Sequence, residues 1–405
     1  MKKILIILAD KLDKHCERGS GAIYLKNFFN IEFVICKSWI WNLDNKEIDL
    51  YYSQTDTLYK YSLCKEYKEL EGIIKKSNSD YIFDLTNNDF SEKIQSIAKK
   101  LNLKYVLIRN GHLSASYITR IFLVLKRLKY YLRKKVDQNK NILPENISSK
   151  IIKKKKVYYL KSFFIKIFKK FRYETQNLKP DVALIAGTEV LKIFNKKTKD
   201  IIHIGSNDYY IYRENTKKIV NQKKYILFID TLLVDEPEKQ FQENLDPLFS
   251  FIEFKKFHEI VFKKFEEKYN LPVVISGHRR GQVIDGYDDL FSGRKVIYHD
   301  TENLVKNCEF VIGSFSTAIS FAVLDYKPIF FYTNYNMDIS PWGPMLYQRA
   351  KDLGTYVVDF ENKIQLPSEY DIIDKVKYNS FIKKYLYNKS STENYPFEEF
   401  IKKYA

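Results

Sequence analysis

Twelve short, almost uninterrupted apolar runs separated by helix-length stretches constrain this 405-residue chain more than any other feature. Six occur in the first half: KKILIILAD (2–10), IEFVICK (31–37), DYIFDLT (80–86), KYVLIRN (104–110), DVALIAG (181–187) and DIIHIGS (200–206). After the polar stretch 215–224 come YILFIDT (225–231), LPVVISG (271–277), RKVIYHD (294–300), CEFVIGS (308–314), KPIFFYT (327–333) and GTYVVDF (354–360). A strand covered on both faces needs side chains that are apolar on both sides, so runs of this kind predict parallel strands rather than half-exposed antiparallel ones. Helical stretches such as 247–269 fill the intervals. The pattern predicts an α/β chain of two Rossmann-like, doubly wound parallel-sheet domains. The first spans 1–215, the second 222–390, and a C-terminal helix over 391–405 is expected to pack back on the first.

With 45% apolar residues and 16% aromatics the chain has enough material for two cores. The N-terminal apolar stretch is too short, and too soon followed by charge, to read as an export signal. Nowhere does an uncharged apolar run approach the length of a membrane span. Cys16, Cys36, Cys64 and Cys308 are scattered without metal-ligand spacing, so they read as buried or incidental thiols in a reduced compartment.

The net charge of +18 is local: residues 120–173 hold eighteen Lys/Arg against only Asp137 and Glu145. Within that segment Ile121, Val124, Leu125, Leu128, Tyr131 and Leu132 fall on one helical face, with Lys126, Arg127, Lys129, Arg133 and Lys134 largely off it. Val157, Leu160, Phe164, Ile167, Phe168 and Phe171 repeat the design, with Lys166, Lys169 and Lys170 facing away. This predicts a basic amphipathic helical hairpin inserted in the first domain. Such helices suit an anionic membrane surface, where each cation contributes about 1 kcal/mol. A solvated face over core helices and a nucleic-acid surface are the competing readings. No nucleic-acid module accompanies the patch, so nucleic acid is not an expected partner.

In open parallel sheets ligands bind beyond the carboxyl ends of strands. Three such ends in the second half are polar: Asp230-Thr231, Gly277-His278-Arg279-Arg280-Gly281, and Gly313-Ser314-Phe315-Ser316-Thr317. A glycine followed by hydroxyls at a helix start exposes donors where an anion is favoured, and His278 with Arg279 adds cationic donors. A phosphate cradle is therefore expected from His278, Arg279, Gly313, Ser314, Ser316, Thr317, Asp230 and Thr231. The plainer alternative is that one hydroxyl caps the helix.

Residues 224–335 resemble GT-B glycosyltransferases that use CMP-activated acidic sugars, the sialyltransferase and Kdo-transferase types of bacterial capsule and lipopolysaccharide synthesis. In those families a His-Pro pair at one strand end and a Ser-Ser or Ser-Thr pair at a later one hold the nucleotide. His278 and Ser316-Thr317 occupy the matching places, with Arg279 where the family has proline. FIDTLLVDEPE (228–238) looks loosely like the acidic loop that opens the donor domain of capsule Kdo transferases. Enzymes of this fold that handle UDP- or GDP-sugars usually place a glutamate in the helix after the glycine loop, whereas TAISFAVLDYKP offers no carboxylate before Asp325. The same segment also resembles the glycerophosphotransferases of teichoic acid synthesis, which use a CDP-alcohol donor.

The resemblance implies a glycosyltransferase moving a sialic-acid-like nonulosonate or Kdo from a CMP donor to a capsule or lipopolysaccharide acceptor, with no cofactor and no metal. The alternatives are CDP-glycerol-type transfer and a UDP-sugar GT-B enzyme or epimerase. A cytoplasmic protein peripheral at the inner face of the membrane is expected, its partners being the nucleotide-sugar donor, a glycan or lipid-linked acceptor and, through 120–173, the anionic surface. The acceptor hydroxyl must lose a proton, so a base is expected from the first domain. Glu17, Asp10 and Glu189 are the candidates, with Asp13, His15, Asp84 and His112 as further possibilities, and Gly19-Ser20-Gly21 resembles the acceptor-side loop of Kdo transferases.

Overall fold

A computed structural model of the chain describes residues 1–9, 12–36, 57–86, 90–110, 178–193, 198–214, 224–234, 248–279, 281–340, 343–361, 364–370, 373–388 and 396–405. Asp10, His112, Arg280, the basic segment 120–173 and residues 235–238 of the acidic loop lie outside the described residues.

Among the described residues seven strands form the first sheet: β1 (Lys3–Leu8), β2 (Asn30–Ile35), β3 (Lys60–Leu63), β4 (Tyr81–Asp84), β5 (Lys104–Arg109), β6 (Val182–Ala186) and β7 (Asp200–Ile204). Their spatial order is β3-β2-β1-β4-β5-β6-β7, and every pairing is parallel. Ile6 of β1 stands opposite Phe33 and Phe83, and all three lie in one core, while Leu5 and Ile7 join Val34, Ile82 and Leu107 in the core on the other face. Two covered faces explain why these runs carry no polar alternation. At about 1.5–3 kcal/mol for each large apolar side chain fully buried, such rows dominate what holds the sheet together.

Strand β3 was not legible as an apolar run. All four of its residues are exposed, and it sits at the sheet edge, where Lys60 pairs with Glu32 at 3.0 Å. An edge strand with a charge along it needs no core face, and the charge discourages further pairing.

The second sheet holds β8 (Ile226–Ile229), β9 (Val273–Ser276), β10 (Val296–Ile297), β11 (Phe310–Gly313), β12 (Ile329–Thr333) and β13 (Val357–Asp359). Its order is β10-β9-β8-β11-β12-β13, again wholly parallel. Each predicted run coincides with a strand, β2 beginning one residue ahead of its run at Asn30.

Helices α1 (Lys14–Gly19), α2 (Ala22–Leu25), α3 (Tyr67–Ser77), α4 (Ser91–Lys100) and α5 (Asn207–Glu214) belong to the first lobe. The second carries α6 (Phe251–Tyr269), α7 (Thr301–Asn307), α8 (Ile319–Leu324), α9 (Tyr335–Ile339), α10 (Gly343–Leu353) and α11 (Lys375–Phe381). Helix α6 starts where Ser250 and Glu253 cap each other's backbone, which fixes its first turn.

After α11 a π-helical turn, Ile382–Leu386, brings the chain back to the first lobe. There Thr188 N–H donates to the Lys384 carbonyl at 2.9 Å and Ser206 N–H to the Leu386 carbonyl at 2.7 Å. The last helix, α12 (Glu398–Tyr404), sets Phe400 among Phe29, Tyr81 and Phe83. Lys2 Nζ donates to the Tyr404 carbonyl at 2.9 Å, so both chain ends are tied to the first sheet. All four cysteines are free thiols, three of them buried.

Candidate active site

Strand β8 stands between β9 and β11, and the order of connection reverses on its two sides. A crevice opens at the carboxyl end of such a switch point because the following loops lead away in opposite directions. The residues there are Asp230-Thr231 after β8, Gly277-His278-Arg279 after β9, and Ser314 to Thr317 after β11.

Asp230 is 3% exposed and accepts hydrogen bonds from Leu232 N–H (3.0 Å), His278 N–H (3.1 Å) and the Tyr287 hydroxyl (2.9 Å). Burial raises its carboxyl above the usual range, while these three donors oppose the shift. Asp230 is thus a floor that fixes the His278 loop. Gly277 belongs to the same construction, since a Cβ there would meet the Tyr298 ring at 2.5 Å.

On the other side, Thr231 Oγ1 and Ser314 Oγ lie 3.0 Å apart, both buried. Their bond is the end of a polar chain running into the core. His258 is fully buried, with Nδ1 2.9 Å from the Phe254 carbonyl and Nε2 2.8 Å from the Tyr332 hydroxyl. Burial pushes its pKa down to about 3, so it is neutral. A carbonyl only accepts, so Nδ1 carries the proton and Nε2 accepts from Tyr332. The Tyr332 oxygen then accepts from Ser314, and Ser314 from Thr231. Both hydroxyl protons therefore point inward.

Ser316 and Thr317 stand differently. Ser316 is half-buried and Thr317 exposed, and the Ser316 hydroxyl accepts from Ala318 N–H at 3.2 Å. Beneath them lies Arg349 of α10, 4% exposed, whose Nη1 donates to the carbonyls of Phe315 (2.7 Å) and Ser316 (3.0 Å). Reasoning from the sequence did not find it: one arginine on a helix has no local signal that it is buried. Helix α8 is only six residues long, so the loop's own groups and Arg349, rather than a long helix dipole, set the local potential.

Facing these loops is the first lobe. Asp13 caps α1 by accepting from Cys16 N–H at 2.8 Å, and its other oxygen lies 2.6 Å from Arg279 Nη1. Glu17 accepts from the Thr57 hydroxyl at 2.6 Å. The Gly19 carbonyl accepts from the Asn110 side chain, and buried Ser20 donates to the Glu17 carbonyl at 3.0 Å. Gly21 has φ +80°, and a Cβ there would lie 2.5 Å from the Phe397 ring. His15 lies 2.9 Å from the Asn207 side-chain nitrogen.

Glu189 is placed elsewhere, 3.9 Å from Lys384 Nζ, which also pairs with Asp352 at 2.9 Å. Asp84 is fully buried and accepts from Thr86 N–H and its hydroxyl (both 2.8 Å) and from the Tyr105 hydroxyl (2.5 Å). A further carboxylate was not singled out from the sequence: Asp208, in the first turn of α5, hydrogen-bonds Ser320 of α8 across the lobes, and burial raises its pKa to about 6. Its position just after DIIHIGS, a predicted strand end, was the available signal.

No family model matches the chain, and no curated protein matches it in sequence. Among solved structures, a variant of the wall teichoic acid polymerase TagF superposes with a TM-score of 0.50 at 13% identity, over 99% of this chain and 88% of that one. Os79 from O. sativa, solved with UDP, gives 0.50 at 9% identity over 99% of this chain and 100% of that one. A UDP-GlcNAc 2-epimerase from Methanocaldococcus jannaschii gives 0.45 at 12%, over 94% and 98%. The likeness is one of fold: two parallel-sheet α/β lobes in the GT-B arrangement.

Proposed function

We propose that the chain is a metal-independent GT-B glycosyltransferase that moves an acidic sugar, a sialic-acid-like nonulosonate or Kdo, from a CMP donor to a capsule or lipopolysaccharide acceptor. The observation that carries this reading is the placement of His278 after β9 and of Ser316 and Thr317 after β11, the two strands that flank β8 at the second sheet's switch point, with Arg279 reaching Asp13 of the first lobe. The donor phosphate sits against the Ser316-Thr317 segment with His278 beside it, and these donors stabilise the charge that grows on CMP as the glycosidic bond breaks.

Two further features support the nucleotide and the base. Every side chain of α8 from Ile319 to Leu324 is buried and none is a carboxylate; Asp325 follows its last turn and accepts from Tyr212 of the first lobe at 3.1 Å. No acid is left on α8 to grip a ribose diol, a departure from the glutamate expected there in UDP- and GDP-sugar enzymes of this fold. Asp208, with a pKa of about 6, is largely ionised at neutral pH and still a competent base, and it faces α8 from the first lobe. We assign it the acceptor proton, ahead of Glu17, Asp10 and Glu189.

CDP-glycerol-type transfer is the second reading, favoured by the same acid-free α8. Among the described residues no helix is long and apolar enough to cross a membrane. Attachment at the inner face of the cytoplasmic membrane is assigned to the basic segment 120–173.

Thermal shifts with CMP, CDP, UMP and UDP test the donor. Cytidine nucleotides should stabilise by about 2.7 kcal/mol at one hundred times Kd. Stabilisation by UDP alone overturns the reading, and turnover with CMP-sugar against CDP-glycerol separates the two cytidine chemistries.

A further inference from the structure

We infer that Arg349 and the Phe315–Thr317 peptides together form an anion nest that makes this loop select phosphate-bearing ligands over free nucleosides. The inference rests on the donor site proposed above and adds to it the residue that supplies its charge.

The geometry begins with the two carbonyls. Those of Phe315 and Ser316 both point at Nη1 of Arg349, at 2.7 and 3.0 Å, on the buried side of the loop. No peptide bond here is cis. In a planar trans peptide the N–H of the next residue points opposite to the carbonyl. The N–H groups of Ser316 and Thr317 therefore point away from Arg349, toward the side on which Thr317 is exposed. Two successive amides aimed the same way make a concavity suited to one anionic oxygen. The Ser316 hydroxyl accepts from Ala318 N–H, which leaves its own proton to donate.

The charge is the second part. Arg349 is only 4% exposed, and among the described residues it makes no ion pair and its Nε has no hydrogen-bond partner. Burial lowers its pKa, to about 10, with only Tyr385 opposing the shift, so it remains charged at neutral pH. A buried, unpaired cation costs free energy unless an anion compensates it. Were Arg349 only a clamp on two carbonyls, a neutral donor would serve at lower cost. The anion that offsets this charge is a phosphate seated on the outward amides, one peptide layer away.

The test compares the ratio of nucleoside to nucleotide dissociation constants, measured calorimetrically with cytidine, CMP, uridine and UMP. Wild type is compared with Arg349→Lys and Arg349→Met. Nucleoside affinity should be unchanged while the ratio falls about tenfold or more in Arg349→Met and by an intermediate factor in Arg349→Lys, as for loss of a charge-assisted contact. Should Arg349→Met fail to fold, Arg349→Gln carries the test, since its amide can still donate to a loop carbonyl while the charge is gone. An unchanged ratio in a variant with wild-type circular dichroism and nucleoside affinity overturns the inference. A uridine preference in wild type sinks the cytidine reading alone, with the UMP ratio still reporting on Arg349. Absence of binding by all four ligands sinks both.

Discussion

Arg279 Nη1 lies 2.6 Å from Asp13 Oδ2, joining the loop after β9 in the second lobe to the cap of α1 in the first. Both side chains are partly exposed, at 33% and 24%, so the pair itself contributes at most about 1 kcal/mol and weakens with salt. Its position matters more than its strength. In the proposed donor site, Asp13 occupies the cation beside His278 that an incoming phosphate would otherwise meet.

Asp13→Asn keeps a side chain that caps α1 but removes the competing charge. It should tighten CMP binding severalfold at low salt, and Arg279→Gln should weaken it. Titration calorimetry at two salt concentrations reads both, and equal affinity in wild type and Asp13→Asn would show that the ion pair does not compete with the ligand.

Asp230 and His278 should separate by phenotype. Asp230→Ala leaves three buried or half-buried donors without an acceptor and should destabilise by more than about 2 kcal/mol in denaturant unfolding. His278→Ala, at a half-buried position, should leave the unfolding midpoint nearly unchanged while lowering kcat/KM about a hundredfold. A folded His278→Ala enzyme of wild-type activity would remove the histidine from the site.

Gly187 is a third point of leverage. Its φ is +68°, and a Cβ there would lie 2.4 Å from the Lys384 carbonyl oxygen, a backbone atom that cannot swing aside. Gly187→Ala should cost about 2 kcal/mol or more and weaken the return of the chain to the first lobe. Limited proteolysis between residues 364 and 396 should accelerate; an unchanged cleavage rate would show that this approach does not hold the lobes.

The pH dependence follows from two groups of opposite sign. His258, depressed to about 3 when folded, binds a proton near 6.5 only when unfolded. Its contribution is complete above that value and is lost as pH falls toward 3, at up to about 1.4 kcal/mol per unit. Asp208, raised to about 6 from 3.8, binds its proton earlier in the folded state, so its stabilisation is present below 3.8 and lost as pH rises through about 6. Between about 4 and 6 the two oppose each other. Asp208→Asn should therefore be more stable than wild type at pH 7.5 and equal to it near pH 3.8. The same variant should abolish a rising limb in kcat/KM with an apparent pKa of about 6, and a limb that survives would move the base elsewhere.

Neutralising Lys153, Lys154, Lys155, Lys156, Lys166, Lys169 and Lys170 should weaken binding to anionic vesicles while sparing turnover of a soluble acceptor. Sedimentation with vesicles containing phosphatidylglycerol measures this. Undiminished vesicle binding removes the membrane role of 120–173.

The chain order of the strands and the loops worth watching came from local pattern alone. Runs such as DVALIAG and CEFVIGS are apolar on both sides because both faces of their sheets are covered, and that requirement is written residue by residue. The polar ends at Asp230, His278 and Ser316 follow from the same periodicity, which shows where each run stops. Strand β3 escaped because an exposed edge imposes no such requirement.

Tertiary structure decided which polar groups remain for a ligand. Ser314 and Thr231 turn inward because a neutral histidine on another element, His258 of α6, fixes the direction of a hydrogen-bond chain through Tyr332. Glu189 is drawn to Lys384, Asp13 to Arg279 and Asp208 to Ser320, all pairs whose partners lie far along the chain. Burial of Arg349 under the loop is likewise a property of the packed lobe. Amino-acid pattern records the face a residue must present; desolvation and long-range pairing, which set charge state and donor direction, exist only once distant segments share one interior.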